Sequence, residues 1–72
     1  MSSSRVITII ANGEKKTLME SCTLDKFIES CGWKPTQVVV EYNSVVIARA
    51  NIGKIVLTEG DRLEIVVPVA GG

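Results

Sequence analysis

Apolar and polar residues repeat along this chain with two different periods, and each change of period marks an element. Arg5 to Ala11 (RVITIIA) is a dense β-branched run, which reads as a strand. It sets Ile7 and Ile9 inward and Val6, Thr8 and Ile10 outward. Asn12-Gly13 follows. A type I′ hairpin turn needs φ > 0 at both central positions, and this dipeptide meets that demand. Glu14 to Leu18 is then the returning strand. From Thr23 the period lengthens. Leu24, Phe27, Ile28 and Cys31 fall at i, i+3, i+4 and i+7, one apolar stripe of a helix spanning Thr23 to Cys31. Asp25, Lys26, Glu29 and Ser30 then face water. Thr23 suits the N-cap, Asp25 the electropositive first turn and Gly32 the C′ position. Pro35 blocks any continuation.

The period of two returns at Gln37 to Asn43 (QVVVEYN). With Glu41 toward solvent, Val38, Val40 and Tyr42 point inward and Val39 outward. Asn43-Ser44 is a turn and Val45 to Ala48 a short strand. Arg49 to Lys54 reads as irregular. Ile55-Val56-Leu57 leads into a second turn, Glu59-Gly60-Asp61. Arg62 to Val69 is the last strand, with Leu63, Ile65 and Val67 on one face and Glu64, Val66 and Pro68 on the other. Pro68 has no N–H and marks an edge or the end of pairing. One helix and about five strands must bury one apolar face each, so the helix covers one side of a mixed sheet. The fold class is α+β, a β-grasp (ubiquitin-like) arrangement. Its first and last strands lie parallel at the sheet centre.

Composition sharpens this picture. Seventy-two residues make one domain, expected at residues 1–68 with a polar, disordered lead-in at 1–4. So small a chain buries only about 60% of its unfolded surface, and the 46% hydrophobic content meets that need. Eight basic and eight acidic residues cancel, with no basic run, so no nucleic-acid partner is expected. No signal-peptide pattern or membrane-length apolar run occurs, so no membrane partner is expected either. Two cysteines, Cys22 and Cys31, are too few for a disulfide scaffold. The expectation is a cytoplasmic, reduced protein, monomeric when free. The chain has no histidine. No Cys or carboxylate spacing suggests a metal site, and Gly53-Lys54 lacks the rest of a phosphate-binding loop. A catalytic centre is not expected.

The chemistry is expected at the end of the chain. Val69-Ala70-Gly71-Gly72 is thin and carries no charged side chain, so a narrow apolar enzyme channel can admit it. Residues 69–72 read as a flexible tail whose working group is the α-carboxylate of Gly72.

Several stretches together carry a resemblance. They are Val39-Val40-Glu41-Tyr42-Asn43, Ile47-Ala48-Arg49, Glu59-Gly60-Asp61-Arg62-Leu63-Glu64-Ile65-Val66 and the Val69 to Gly72 end. With the Asn12-Gly13 turn, the chain from residue 6 onward resembles the ubiquitin-like sulfur carriers, most closely the ThiS type of thiamine biosynthesis. Ala48 and Ile52 stand where many relatives have proline and an aromatic. Pro68 is more reminiscent of the small subunit of molybdopterin synthase. The resemblance implies a protein co-substrate with no bound cofactor. A ThiF-type, E1-like adenylyltransferase would use ATP to adenylate Gly72. Sulfur from a donor such as a cysteine desulfurase would convert it to a thiocarboxylate, which would supply a ThiG-type thiazole synthase. The alternatives are the same chemistry for molybdopterin synthesis, or a ubiquitin-like protein modifier.

The other notable residues have quieter expected roles. Cys31 is expected to fill the core as a small apolar group. Cys22 precedes the helix, and nothing nearby would lower its pKa for a relay role. Trp33 caps the helix end. Glu59 and Asp61 are expected as solvated turn residues, and Arg49 as a loop charge or a docking contact. Val39 and Val66 point away from the helix and form an expected docking patch, with Ile10 at its margin.

Overall fold

The computed structural model describes residues 5–69. Its strands are β1 (Val6–Ala11), β2 (Glu14–Met19), β3 (Val39–Tyr42), β4 (Val45–Val46) and β5 (Arg62–Val66). Helix α1 (Leu24–Ser30) follows β2, and the short α2 (Arg49–Ile52) follows β4. The sheet order is β2-β1-β5-β3-β4. β1 and β5 pair in parallel, and the other neighbours pair antiparallel. This is the β-grasp expected from the order of elements, with β5 in the middle.

Local sequence explains the frame. Asn12 and Gly13 take φ of 52° and 81°, the twist that lets a two-residue turn join β1 to β2. Ile7, Ile9 and Ala11 are buried, whereas Val6 is exposed and Thr8 and Ile10 half-buried. The alternation on β1 therefore has the expected parity. Leu24, Phe27 and Ile28 of α1 meet Val38, Val40, Leu63 and Ile65 in one core. Each large apolar side chain buried there contributes about 1.5–3 kcal/mol. At the end of α1, Gly32 takes φ of 92°. Its N–H bonds Glu29 O at 3.0 Å, and the N–H of Trp33 bonds Ile28 O at 3.3 Å. That pair of bonds is a Schellman motif, which satisfies carbonyls the helix end would leave orphaned. Trp33 is half-buried and packs against the core, as a cap should.

Several expectations need correction. Thr23 is the N-cap residue, but its hydroxyl caps no backbone N–H and donates instead to the Asp25 carboxylate. Cys31 is exposed. It is the C-cap of a two-turn helix, and its side chain faces an open groove rather than the core. The strand expected from Gln37 begins only at Val39, because Pro35–Gln37 form a 3-10 turn. The short strand expected at Val45 to Ala48 stops at Val46. Arg49 to Ile52 is a single helical turn rather than irregular chain, and it buries Ile52. The last strand ends at Val66, opposite Val39, the first residue of β3. Val67 thus has no neighbouring strand to pack under and is 42% exposed.

Asp61 differs most from expectation, being only 7% exposed. Its Oδ2 accepts from the Thr58 N–H at 2.8 Å and the Tyr42 hydroxyl at 2.9 Å. Its Oδ1 accepts from the Asn43 amide at 3.1 Å. Burial pushes this carboxyl up, but those hydrogen bonds outweigh it and hold it below the ordinary value. Glu59 remains exposed, yet its Oε1 accepts the Thr8 N–H at 3.0 Å. That bond satisfies β1 where β5 does not yet reach.

Candidate functional site

β5 leads to the C-terminal end, so what anchors β5 sets where that end begins. Asparagines from two hairpin turns brace it. Asn43, with φ of 49°, accepts the Arg62 N–H on its Oδ1 at 2.9 Å and donates its own N–H to Arg62 O at 2.8 Å. Asn12 uses its side chain like a strand: Oδ1 accepts the Ile65 N–H at 2.7 Å, and Nδ2 donates to Ile65 O at 3.1 Å. β1 is too short to pair with Ile65, and the Asn12 amide continues its ladder. The chain is held through Val66 and then leaves the sheet at Val67. Val69 is 91% exposed. The expected working end, Ala70, Gly71 and Gly72, lies outside the described residues.

The face of the sheet away from α1 is uncovered. Strand register assigns it Val6, Thr8 and Ile10 of β1, Lys15, Thr17 and Met19 of β2, Arg62, Glu64 and Val66 of β5, and Val39 and Glu41 of β3. Val39 stands directly opposite Val66, and they are 43% and 57% exposed. The structure therefore brings these two candidate docking residues together at the end of the sheet from which the chain leaves. Ile10 is half-buried beside Arg62. That is four residues, or about 13 Å, back along β5 from Val66. Arg49 is exposed at the start of α2, off the sheet.

Between the hairpin, the end of α1 and Trp33 lies a groove of about 460 Å³, with Leu18, Phe27, Cys31 and Ile65 in its wall. Cys22 is half-buried, and its thiol is pushed up first by burial and then by the Asp25 charge. A raised thiol holds less thiolate, which opposes a nucleophilic role. Among the described residues, no group of three or more His, Cys, Asp or Glu is placed to hold a metal ion. No described helix is long and apolar enough to cross a membrane. Sequence reasoning missed Asp61 and the bracing function of Asn12 and Asn43. Their positions in turns were visible, but apart from Thr58 their partners lie 18 to 53 residues away.

Comparison with known proteins agrees with this architecture. The model of the ThiS family matches residues 5–72, and the chain belongs to that family. Its fold is that of the crystal structure of the thiamine biosynthesis protein ThiS from Geobacter metallireducens. The two superpose with a TM-score of 0.77 at 23% identity, over 92% of this chain and 100% of that one. The chain is also 28% identical over 64 residues to a thiazole synthase of Paramagnetospirillum magneticum. That match covers 89% of this chain and 20% of the relative, so the chain spans about a fifth of the length of the curated relative it matches.

Proposed function

We propose that this member of the ThiS family is a sulfur carrier of thiamine biosynthesis whose reactive group is the α-carboxylate of Gly72. The observation that carries the reading is the family match, which runs through the whole β-grasp and on to the Gly71-Gly72 end. The match to part of a protein named thiazole synthase supports thiazole formation as the destination of the sulfur.

The chemistry follows from what a carboxylate lacks. Its negative charge and resonance repel nucleophiles, and an acyl-adenylate removes both obstacles. An adenylating partner of the ThiF type joins the Gly72 carboxylate to the α-phosphorus of ATP and releases pyrophosphate. The terminal sulfur of a persulfide, supplied by a donor such as a cysteine desulfurase, then displaces AMP from the acyl carbon. A thiol then attacks the donor's sulfur of the resulting acyl disulfide, forming a new disulfide with the donor and releasing the thiocarboxylate, which a ThiG-type thiazole synthase consumes. In this cycle the chain supplies the acyl group and the docking surface, and the partners supply the nucleotide site and the catalysis. The sheet face bearing Val39 and Val66 seats the adenylating enzyme. From Val66, six residues span at most about 20 Å to Gly72, so a seated sheet face restricts where the carboxylate can go.

Intact-mass spectrometry after incubation with the adenylating enzyme, ATP and a sulfur donor tests the reading. One oxygen should be exchanged for sulfur, and deleting Gly72 should abolish both this change and pyrophosphate exchange. A protein modifier would instead appear in higher-mass lysine conjugates. Equal pyrophosphate exchange by the truncated chain would exclude Gly72 as the acyl group.

A further inference from the structure

One row of the uncovered sheet face sets like charges side by side. Glu41 of β3 and Glu64 of β5 are directly opposite each other, and both are exposed. Like charges in this arrangement destabilise a strand pair. The row next to it, toward the end of β5, is the exposed Val39–Val66 pair. On the other flank of Glu41 stands Val46 of β4, 63% exposed. Among the described residues the one ion pair is Lys16–Glu14 at 3.3 Å. Arg62, two residues from Glu64 on the same face, is within ion-pair distance of neither carboxylate. The face thus presents two adjacent carboxylates framed by three valines, and neither is ion-paired among the described residues.

We propose that this face is complementary to a partner surface that presents an arginine or lysine among apolar side chains. The cation seats between Glu41 and Glu64, while the apolar groups cover Val39, Val66 and Val46. A guanidinium suits the position because it can bond both carboxylates at once. A basic partner relieves the repulsion tolerated in the free chain, which gives the face specificity as well as area. The proposal rests on the reading that the sheet face docks the adenylating enzyme, and it adds the chemistry of the surface that enzyme presents.

Glu64→Lys separates binding from folding. It sets a lysine opposite Glu41 and turns a repulsive cross-strand pair into an attractive one. Its melting temperature should therefore equal or exceed that of the wild type, while its affinity for the adenylating enzyme falls at least tenfold in titration calorimetry. Glu41→Gln/Glu64→Gln should bind more weakly at low salt and show a flatter salt dependence than the wild type. Val66→Asp serves as the control for the face itself. If Val66→Asp weakens binding but Glu64→Lys binds like the wild type with the same salt dependence, the face docks and the basic-partner proposal is overturned. If neither substitution alters an affinity that is measurable for the wild type, docking by this face is overturned too. If Glu64→Lys loses affinity only in step with a lowered melting temperature, its effect is on the fold and the proposal fails.

Discussion

Replacing Asp61 should unfasten β5 more than any other single polar change in this chain. Asp61 accepts hydrogen bonds from Thr58, Tyr42 and Asn43 at 2.8, 2.9 and 3.1 Å, which tie the loop before β5 to β3 and its turn. A hydrogen bond to a charged group is worth about 1.5–3 kcal/mol. Three do not simply add, because they share one acceptor group. Tyr42 is only half-buried and Asn43 is exposed, so water replaces part of what they lose. Asp61→Ala should therefore cost about 2–4 kcal/mol, out of a total of roughly 4–11 kcal/mol for a chain of this size. Asp61→Asn should cost less. Its oxygen can take the Oδ2 position and keep two donors, but its NH₂ then meets the Asn43 amide. The effect should also depend on pH. The Asp61 carboxyl lies below its ordinary 3.8: burial raises it, and bonds from Thr58, Asn43 and Tyr42 outweigh that. A depressed carboxyl contributes stability above its unfolded pKa and loses it as pH falls through the folded value. The Tyr42 hydroxyl lies above its ordinary 10.0, through burial first and then the Asp61 bond and charge. That contribution is present below pH 10 and is lost as pH rises through the raised value. Urea unfolding across pH should show wild-type stability falling at both extremes, with both losses reduced in Asp61→Ala. A loss under about 0.5 kcal/mol at pH 7, the range of ordinary surface changes, would refute the anchoring role. So would an acid-induced fall identical to the wild type.

Two further substitutions probe the core and the C-terminal end. Phe27→Ala, at a residue 3% exposed between helix and sheet, should cost about 3–5 kcal/mol in urea unfolding; a loss under about 1 kcal/mol would mean that the helix face carries little of the core. Gly71→Val should slow sulfur loading by placing a branched side chain in a narrow channel while leaving the unfolding midpoint unchanged, and loading at the wild-type rate would show that the end threads no tight channel.

What could be read from the chain was whatever depends on near neighbours. Asn12-Gly13 specifies its turn from two residues, and β1 shows its inward face through the alternation of Ile7, Ile9 and Ala11. The outward direction of Val39 and Val66 followed from the same parity argument. Their standing opposite each other did not, nor did the pairing of Glu41 with Glu64. The register of β3 against β5 depends on where the intervening chain delivers Arg62, and no local pattern encodes that. Cys31 fitted the helical stripe, but a stripe gives direction only. Whether anything lies beneath the last position depends on the helix ending there. α2 is a single turn with one buried residue, Ile52, too short to show a period. Asp61 sits between Gly60 and Arg62 like any turn aspartate. Its burial is supplied by Tyr42 and Asn43, about twenty positions earlier.

The same two hairpin turns that close the strands also fix the exit of the chain. Asn12 and Asn43 both take positive φ, a conformation asparagine tolerates better than most residues. In both, that conformation leaves the side-chain amide free to pair with β5. One brace holds its first residue, Arg62, and the other holds Ile65, next to its last. β5 is thus held at both ends by side chains, along most of its length by β3 and at Arg62 and Leu63 by β1, and Val67 leaves the sheet directly after the last pairing. If an enzyme binds the face that carries Val39, Glu41, Glu64 and Val66, it grips the strand from which the Gly-Gly end departs. No hinge intervenes between the docking residues and the exit point. If the chain is the sulfur carrier proposed above, that coupling turns recognition at the sheet into position at the carboxylate.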